Sequence, residues 1–366
     1  MKILVGTSNL GKIAEYKALL QPHFDPIPLS DLKLTLDVDE TGLTYEENAL
    51  LKLNYLKDKS PIPIITDENY EKAKILQINK NRIDEYFSNN DVIVLAGFQG
   101  ITEKNRVTTL GRGGSDLSAV AIAKFFQTDS CEIYTDVDGV LTTDPSINEK
   151  AKKIDKISYE EMLEMSSLGA KVMQPSAVQT AMKNNIPVHV RSTFSEKLGT
   201  KIVSENDIDE KNVVTGITYS KKNAKVSIVG VVDKPGVAAD IFEPIGKNNI
   251  NIDMVIQNTS LDGKNANITF TIKQEDLKKT LSIIEKNKKK IDFKKVTHDD
   301  KLAKVSIIGA GMIASPGVTH KMFRSLADEK INILAISTSE IKISVLIREE
   351  LTQRAVKTLH NTFELN

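Results

Sequence analysis

The sequence has little of several features that would each point to a particular class of protein. Its one cysteine, Cys131, excludes an intrachain disulfide framework and fits a reducing compartment. Lysine plus arginine number 49 and aspartate plus glutamate number 49, so the net charge gives no case for binding nucleic acid or an acidic membrane. No apolar run approaches the roughly 20 residues that span a bilayer, and the N-terminus lacks a signal peptide's apolar segment. We therefore expect a cytoplasmic protein without a membrane or nucleic-acid partner.

What is present begins with an internal repeat in the C-terminal part of the 366 residues. Residues 224–230 (AKVSIVG) recur as residues 303–309 (AKVSIIG). Each copy continues to a Pro-Gly pair, a helical stretch, an Asn-Ile pair, two further strands and a closing helix. The order β-α-β-β-α predicts one duplicated α+β module of roughly 80 residues per copy. The closing helices are expected at about residues 275–289 and 351–363.

Residues 91–203 alternate predicted strands with predicted helices. Strands are expected at 92–96, 132–135 and 187–191, and helices at 117–126, 159–168 and 176–184. This alternation predicts a parallel sheet covered by helices. The polar stretch 192–211 is expected to be a linker into the repeats.

A glycine-rich loop, residues 111–116 (GRGGSD), directly precedes the predicted helix at 117–126. Glycines let a backbone approach an anion closely, and a helix N-terminus supplies unpaired N–H donors. A simple helix cap by Ser115 or Asp116 is an equally good interpretation of the loop alone.

Two acidic segments follow the next predicted strand. Residues 135–139 (TDVDG) and 142–145 (TTDP) lie where ligands bind in open α/β sheets and could hold Mg²⁺ or a nucleotide. An isolated Asp-x-Asp-Gly is more commonly a surface turn. Lys171, within residues 169–172 (GAKV), is either a solvated lysine or a cation that neutralises charge in phosphoryl transfer.

Six motifs together carry a family resemblance. They are residues 97–100 (GFQG), 108–116 (TTLGRGGSD), 133–139 (IYTDVDG), 160–165 (EEMLEM), 169–172 (GAKV) and 186–191 (IPVHVR). In this order they resemble the ATP-binding half of the aspartate kinases, and the repeats are similar to that family's paired regulatory ACT domains. The resemblance implies an α/β chain. A truncated amino-acid kinase domain, three-layered αβα with a mostly parallel sheet, would span residues 57–203, and two ferredoxin-like α+β ACT domains would span 212–296 and 297–366.

The resemblance also implies an activity. An aspartate kinase transfers the γ-phosphate of ATP, with Mg²⁺, to the side-chain carboxylate of L-aspartate, giving 4-phospho-L-aspartate for lysine, threonine and methionine synthesis. Lysine or threonine would be the effector, and the ACT domains would join two chains as a homodimer. A carboxylate is already a nucleophile, so catalysis would rest on positioning and charge neutralisation.

The site residues that the resemblance implies fall into four groups. Catalysis would fall to Asp116, Lys171, Arg112 and Ser115. Aspartate would meet Arg112, Gly113, Gly114 and Ser115. ATP would meet Thr135, Asp136, Leu141, Thr142, Thr143, Asp144, Pro145, Ser146, Lys171 and Val172. The effector would meet Asp233, Asn251, Ile252, Asp253, Met254, Gln257, Val318, Thr319, Asn332, Ile333, Ser339 and Glu340.

Residues 1–56 depart from the family pattern, because its opening Lys-Phe-Gly-Gly-Thr-Ser loop has no counterpart before Gly97. Residues 5–15 (VGTSNLGKIAE) and 40–52 (ETGLTYEENALLK) instead resemble the start of the inosine-triphosphate-type pyrophosphatases. There a triphosphate and its Mg²⁺ would meet Thr7, Asn9, Lys12 and Glu40. That family's later acidic motif does not follow.

Two alternatives to the kinase therefore stay open. One is a catalytically inactive chimera in which only the ACT pair binds lysine or threonine. The other is a nucleoside triphosphate pyrophosphatase. A P-loop at residues 6–12 is rejected, because Ile13 stands where a Ser or Thr would hold Mg²⁺.

Overall fold

The structure is a computed structural model that forms two units, Met1–Cys131 and Glu132–Asn366, each described by itself below. It describes residues 64–79, 95–168, 172–208, 212–259, 263 and 265–366, and the backbone of strands Lys2–Val5 and Asp25–Pro28. The strands are β1 (Lys2–Val5), β2 (Asp25–Pro28), β3 (Ile64–Thr66), β4 (Ile75–Ile78), β5 (Gln99–Ile101), β6 (Val107–Thr109), β7 (Cys131–Thr135), β8 (Lys156–Ser158), β9 (Val188–Ser192), β10 (Thr200–Val203), β11 (Gly216–Val232), β12 (Val255–Thr259), β13 (Asn265–Lys273), β14 (Lys295–Ile308), β15 (Ala335–Thr338) and β16 (Lys342–Arg348). The helices are α1 (Gly114–Phe126), α2 (Tyr159–Leu168), α3 (Pro175–Asn184), α4 (Val237–Lys247), α5 (Leu277–Lys286), α6 (Lys288–Ile291), α7 (Val318–Asp328) and α8 (Thr352–Thr362).

The first unit contains a sheet of order β4-β3-β5-β6, in which β3 and β5 are parallel and the other pairs antiparallel. The helix expected at 117–126 is confirmed as α1. The expected strand at 92–96 is wrong where it can be checked, because Leu95 and Ala96 lie outside any strand. The strand of this region is β5, where Gly100 lets β3 approach closely. A Cβ at Gly100 would lie 2.3 Å from Thr66 Cγ2.

The second unit begins with a sheet of order β7-β9-β10-β8, in which β10 pairs parallel with β8 and antiparallel with β9. The expected helices at 159–168 and 176–184 are confirmed as α2 and α3. The expected linker at 192–211 is wrong for Thr200–Val203, which forms β10. Burial of Ile202 and Val203 among its neighbours holds this short strand inside the sheet despite its polar flanks.

The duplicated module is confirmed as one six-stranded antiparallel sheet of order β12-β13-β11-β14-β16-β15. Helices α4 and α5 cover one core cluster, which includes Ile241, Phe270 and Ile284. Helices α7 and α8 cover the other, which includes Met322 and Leu359.

Strand β11 is shared between the two modules. Its first part, up to Ser220, pairs with β14 alone, whereas from Asn223 onward it also pairs with β13. Val214 and Ile217 lie in the core cluster of the second module. Coming from the kinase half, the chain therefore first enters the second module, with Val214 and the start of β11. It then forms the first module.

Candidate active site and regulatory surfaces

The glycine loop of the first unit turns directly into helix α1. Gly111 and Gly113 have φ angles of +78° and +73°, a region that favours glycine. Gly113 is the N-cap of α1, and no side chain in the described ranges caps it. The cap interpretation of Ser115 and Asp116 is therefore wrong; the first N–H of α1, that of Gly114, donates instead to the Gly111 carbonyl at 3.0 Å.

Ser118 fixes this loop against the motif at residues 97–100. Its hydroxyl donates to the carbonyl of Gly114 at 2.6 Å and accepts from the N–H of Phe98 at 3.0 Å. The N–H of Leu110 donates to the carbonyl of Phe98 at 2.9 Å. Two motifs that are separate in sequence thus form one local structure.

The predicted catalytic side chains of this loop have different exposures. Arg112 and Ser115 are exposed, and Asp116 is half-buried. The Ser115 hydroxyl donates to Asp116 Oδ1 at 3.4 Å. A guanidinium, a hydroxyl and a helix N-terminus thus lie within a few residues of one another, a combination that suits an anion, and the substrate role of this loop stays a prediction.

In the second unit, strand β7 ends at Thr135 and the acidic turn follows. The Thr135 hydroxyl donates to Asp136 Oδ1 at 3.1 Å, and the Thr193 N–H donates to the Thr135 carbonyl at 2.8 Å. The turn ends at Gly139, which has a φ of +139°, and a Cβ there would lie 2.5 Å from Thr200 Oγ1. That hydroxyl accepts from the N–H of Val140 at 2.8 Å, so the end of the turn is fixed.

Residues 141–146, where the sequence analysis predicts ATP contacts and which are called the nucleotide loop below, follow this turn. The carboxylate of Asp144 organises this loop, because its Oδ1 accepts from the Ser146 N–H at 2.9 Å and hydroxyl at 2.6 Å. Thr142 and Thr143 are buried, Leu141 is half-buried and Pro145 is exposed. Within the part of the chain that the structure describes, Thr143 Oγ1 has no hydrogen-bond partner. A buried hydroxyl in this state suits a polar ligand group.

Residues of the regulatory modules contact the nucleotide loop, and the sequence analysis did not identify any of them; the longest of these hydrogen bonds joins the Thr142 hydroxyl to the Leu365 carbonyl at 3.5 Å. The Tyr219 hydroxyl donates to Asp144 Oδ2 at 2.8 Å. The Ile217 N–H donates to the Thr142 carbonyl at 2.7 Å, and His360 Nε2 lies 2.9 Å from Thr142 Oγ1. These contacts join residues 75 to 223 positions apart, so no local motif signals them.

Burial shifts the pKa of both side chains that reach the loop. It raises the pKa of Tyr219 to about 12, helped by the hydrogen bond to the Asp144 carboxylate. It lowers the pKa of His360, and the positive charge of Lys152 acts in the same direction, while Asn366 opposes it. Both side chains are therefore neutral at pH 7.

Lys171 lies outside the described residues, as do Gly169 and Ala170. Val172 is half-buried and precedes α3. The resemblance of residues 1–56 to a pyrophosphatase also rests on Thr7, Asn9, Lys12 and Glu40, all outside the described residues. The role of each stays a prediction.

Four predicted effector residues of the first module, Asn251 to Met254, directly precede β12, and Gln257 lies within it; Asp233 follows β11 near the other end of β12. Asp233, Asn251 and Gln257 are exposed and Ile252 is half-buried. Asp253 forms an ion pair with Lys304 of β14.

Met254 packs in a buried cluster with Leu302, Ala335 and Leu346, which belong to the second module or to β14. The start of β12 is thus joined to the second module by one charge pair and one apolar cluster.

In the second module, Val318 is the first residue of α7 and is buried, whereas Thr319 is exposed. Asn332 is exposed and Ile333 half-buried before β15. The exposed Ser339 and Glu340 form the turn after β15; the Ser339 N–H donates to the Lys342 carbonyl at 2.8 Å. β12 and β15 are the edge strands in the hydrogen-bonding order of the sheet, yet Met254 before β12 and Ala335 at the start of β15 belong to one apolar cluster.

Nowhere in the described ranges do three or more His, Cys, Asp or Glu side chains gather as a metal site. Among the helices that the structure describes, none is long and apolar enough to cross a bilayer.

Comparison with known proteins shows which class of protein this chain belongs to. The Amino acid kinase family model matches residues 17–192, and the ACT domain model matches residues 226–287 and 305–363. The first match begins within the segment that the sequence analysis set apart at residues 1–56. The chain is therefore an amino-acid kinase followed by paired ACT modules.

Curated relatives give the particular family. The chain is 46% identical to the aspartate kinase of Pseudomonas fluorescens over 308 residues, which cover 84% of this chain and 74% of that protein. It is 45% identical to the aspartokinase of Helicobacter pylori over 307 residues, or 83% of this chain and 75% of that protein. The chain belongs to the aspartate kinase family, and it is a phosphotransferase by that membership.

Solved structures agree with this assignment. The aspartate kinase of Clostridium acetobutylicum is similar with a TM-score of 0.73 at 26% identity, over 87% of this chain and 73% of that one. E. coli aspartokinase III, in complex with aspartate and ADP, is similar with a TM-score of 0.66 at 25% identity, over the same 87% and 73% shares. The same E. coli enzyme, in complex with lysine and aspartate, gives a TM-score of 0.64.

Proposed function

We propose that this chain transfers the γ-phosphate of ATP to the side-chain carboxylate of L-aspartate and that its ACT modules regulate this reaction through lysine or threonine. Membership in the aspartate kinase family is the observation that carries the proposal. The product, 4-phospho-L-aspartate, would supply lysine, threonine and methionine synthesis. The expected location in the cytoplasm stays a prediction.

The glycine loop supports the aspartate and phosphate side of the proposal. Arg112 would bind a carboxylate of aspartate as a two-pronged donor, and Ser115 would donate to the transferring phosphate. The N-terminus of α1, which no side chain of the described residues caps, would add positive potential at the same loop. Asp116 would organise this centre, and Lys171 would neutralise phosphate charge.

The acidic turn and the nucleotide loop support the ATP side. Thr135, Asp136 and residues 141–146 would line the nucleotide, and the unpartnered Thr143 hydroxyl offers a donor for it. Mg²⁺ usually binds through one or two carboxylates plus substrate phosphates. Mg²⁺ would arrive with ATP.

Residues 1–55 carry a separate proposal. They resemble the start of an inosine-triphosphate-type pyrophosphatase. We infer that the segment is no working pyrophosphatase, because the later acidic motif of that family does not follow it. The test is pyrophosphate release from inosine triphosphate, and we expect none.

The kinase activity is tested by coupled ADP release from Mg-ATP by the whole chain with and without L-aspartate. We expect aspartate-dependent release that falls about 100-fold in Arg112→Ala, because a charged transition-state contact is lost. Lys171→Ala should fall comparably. Arg324→Ala is the matched control, since Arg324 only pairs with Asp328 on the surface of α7. Aspartate-independent release, or equal rates in Arg112→Ala and Arg324→Ala, would contradict the proposal.

Regulation and assembly are tested separately. Calorimetry with lysine and with threonine should give heat with at least one of them. Sedimentation should show a homodimer that persists without ATP, since the ACT modules would form the contact. A monomer at all concentrations would contradict the proposed dimer.

A further inference from the structure

We propose that Tyr219 and His360, which belong to the regulatory modules, are positioning residues for nucleotide binding. They would act through Asp144 and Thr142 of the nucleotide loop. The inference rests on the proposed role of that loop in binding ATP. Both side chains lie outside the kinase half and contact no predicted ligand. They would hold the loop in its conformation.

Asp144 shows how Tyr219 acts. One carboxylate oxygen, Oδ1, organises the turn through Ser146, and the other, Oδ2, receives the Tyr219 hydroxyl at 2.8 Å. The phenol keeps its proton across the working pH range and therefore always donates. Tyr219 packs against the core cluster of the second module, which fixes its ring. Without this donor Oδ2 loses one partner, and the carboxylate is held less firmly in the orientation that lets Oδ1 accept from Ser146.

His360 acts on the other side of the loop. Its ring is fully buried, and Nδ1 faces Asn366 Oδ1 at 3.0 Å. The amide orientation of Asn366 follows from its Nδ2, which donates to Asn361 Oδ1 at 2.9 Å. Because an amide oxygen only accepts, Nδ1 carries the proton and Nε2 accepts from the Thr142 hydroxyl.

Thr142 is thereby fixed in three directions. Its hydroxyl donates to His360 and accepts from the Lys152 N–H at 3.0 Å. Its carbonyl accepts from the Ile217 N–H at 2.7 Å. The hydroxyl of Thr143, the next residue, is the unpartnered one, so fixing Thr142 sets where that hydroxyl points.

The experiment uses the whole chain and two readouts. Calorimetry measures the Kd of Mg-ADP, and steady-state kinetics measure KM for ATP and for aspartate. Tyr219→Phe removes only the hydroxyl. We expect the Kd of Mg-ADP and the KM for ATP to rise about three- to tenfold, the effect of one lost hydrogen bond. The KM for aspartate should stay within about twofold, which separates positioning from a general loss of structure.

Ser344→Ala is the matched control. It removes one buried hydroxyl from the same sheet, where Ser344 Oγ bonds Ser306 Oγ at 2.7 Å, and it does not touch the nucleotide loop. We expect it to lower the unfolding midpoint without changing the Kd of Mg-ADP. A Kd in Tyr219→Phe no higher than in Ser344→Ala would overturn the role of Tyr219.

Two replacements separate the nitrogens of His360. The glutamine amide reaches about where Nε2 lies, and the asparagine amide about where Nδ1 lies. His360→Gln should therefore bind Mg-ADP within about twofold of wild type, whereas His360→Asn should bind about three- to tenfold more weakly. Equal Kd values in both variants would overturn the role of His360.

The wild-type chain distinguishes this inference from the proposed function. A wild type that binds Mg-ADP and turns over aspartate, with variants that match it, overturns the positioning role alone. A wild type that neither binds Mg-ADP nor turns over aspartate overturns the proposed function, and this inference with it.

Discussion

Glu161 Oε1 accepts a hydrogen bond from the Thr215 hydroxyl at 2.7 Å, and this joins helix α2 of the kinase half to the approach to β11. The same oxygen accepts from the Ala310 N–H at 2.9 Å, beyond the end of β14. The other oxygen, Oε2, accepts from the Ser158 N–H and hydroxyl at 3.1 and 3.0 Å. Glu161 is only 4% exposed, so this one carboxylate organises the junction of kinase and regulatory modules.

Replacing Glu161 should destabilise the second unit strongly. Glu161→Ala leaves its four donors without their acceptor, and we expect a loss of about 3 kcal/mol in the free energy of unfolding. Urea unfolding measures it. The neighbouring exposed residue gives the control, since Glu160→Ala should change stability by less than about 0.5 kcal/mol. Equal midpoints for the two variants would show that Glu161 does not organise the junction.

Acid should weaken the fold through His360. Burial lowers its pKa below the ordinary value of 6.5, so the unfolded chain binds this proton first as the pH falls. The contribution of His360 to the free energy of unfolding is therefore complete above about pH 6.5. It is lost as the pH falls through the folded-state pKa. The positive charge of Lys152 also lowers the pKa of His360.

The measurement compares urea unfolding of wild type and His360→Gln at about pH 7.5 and about pH 5. The variant should lose less stability between the two values. The stability of the variant should still depend on pH to some extent, because burial also lowers the pKa of His189. A variant with the same pH dependence as wild type would mean that His360 takes no part in it.

Sequence patterns predicted the parts of this molecule that local periodicity determines. The repeat was visible because the two copies share the strand AKVSI, and α2 was placed correctly because its apolar residues recur at helical spacing. Strand β10 was missed because its apolar residues, Ile202 and Val203, stand alone in a polar stretch.

The missed site contacts have a different cause. His360 reaches Thr142 across 218 positions, and a buried histidine in a helix pattern carries no sign of its partner. The same holds for Tyr219, which in sequence is only one more apolar position of a long strand. Such contacts depend on how the modules pack together, and the hydrophobic periodicity of the sequence does not predict that packing.

The two partners of one ion pair should respond unequally to replacement. The Lys304 side chain is 8% exposed and that of Asp253 is 48% exposed. Asp253→Asn leaves a buried ammonium without its counterion, and we expect a loss of about 1–2 kcal/mol, moderated by the exposure of the carboxylate. Lys304→Met replaces the buried charge with an apolar side chain and should cost less than about 1 kcal/mol.

Thermal or urea unfolding measures this asymmetry. Lys247→Ala is the exposed control, because Lys247 and Glu243 pair on the surface of α4 and such pairs contribute about 0.5 kcal/mol or less. A larger loss in Lys304→Met than in Asp253→Asn would reverse the expected order and contradict the account.

The most direct test of the central claim is to trap the product of phosphoryl transfer. Hydroxylamine converts an acyl phosphate into a hydroxamate, so the whole chain with Mg-ATP and L-aspartate should form aspartyl hydroxamate in step with ADP release. Asp116→Asn should form far less. If a folded chain forms no hydroxamate above a sample without aspartate, this chain does not phosphorylate the aspartate side chain.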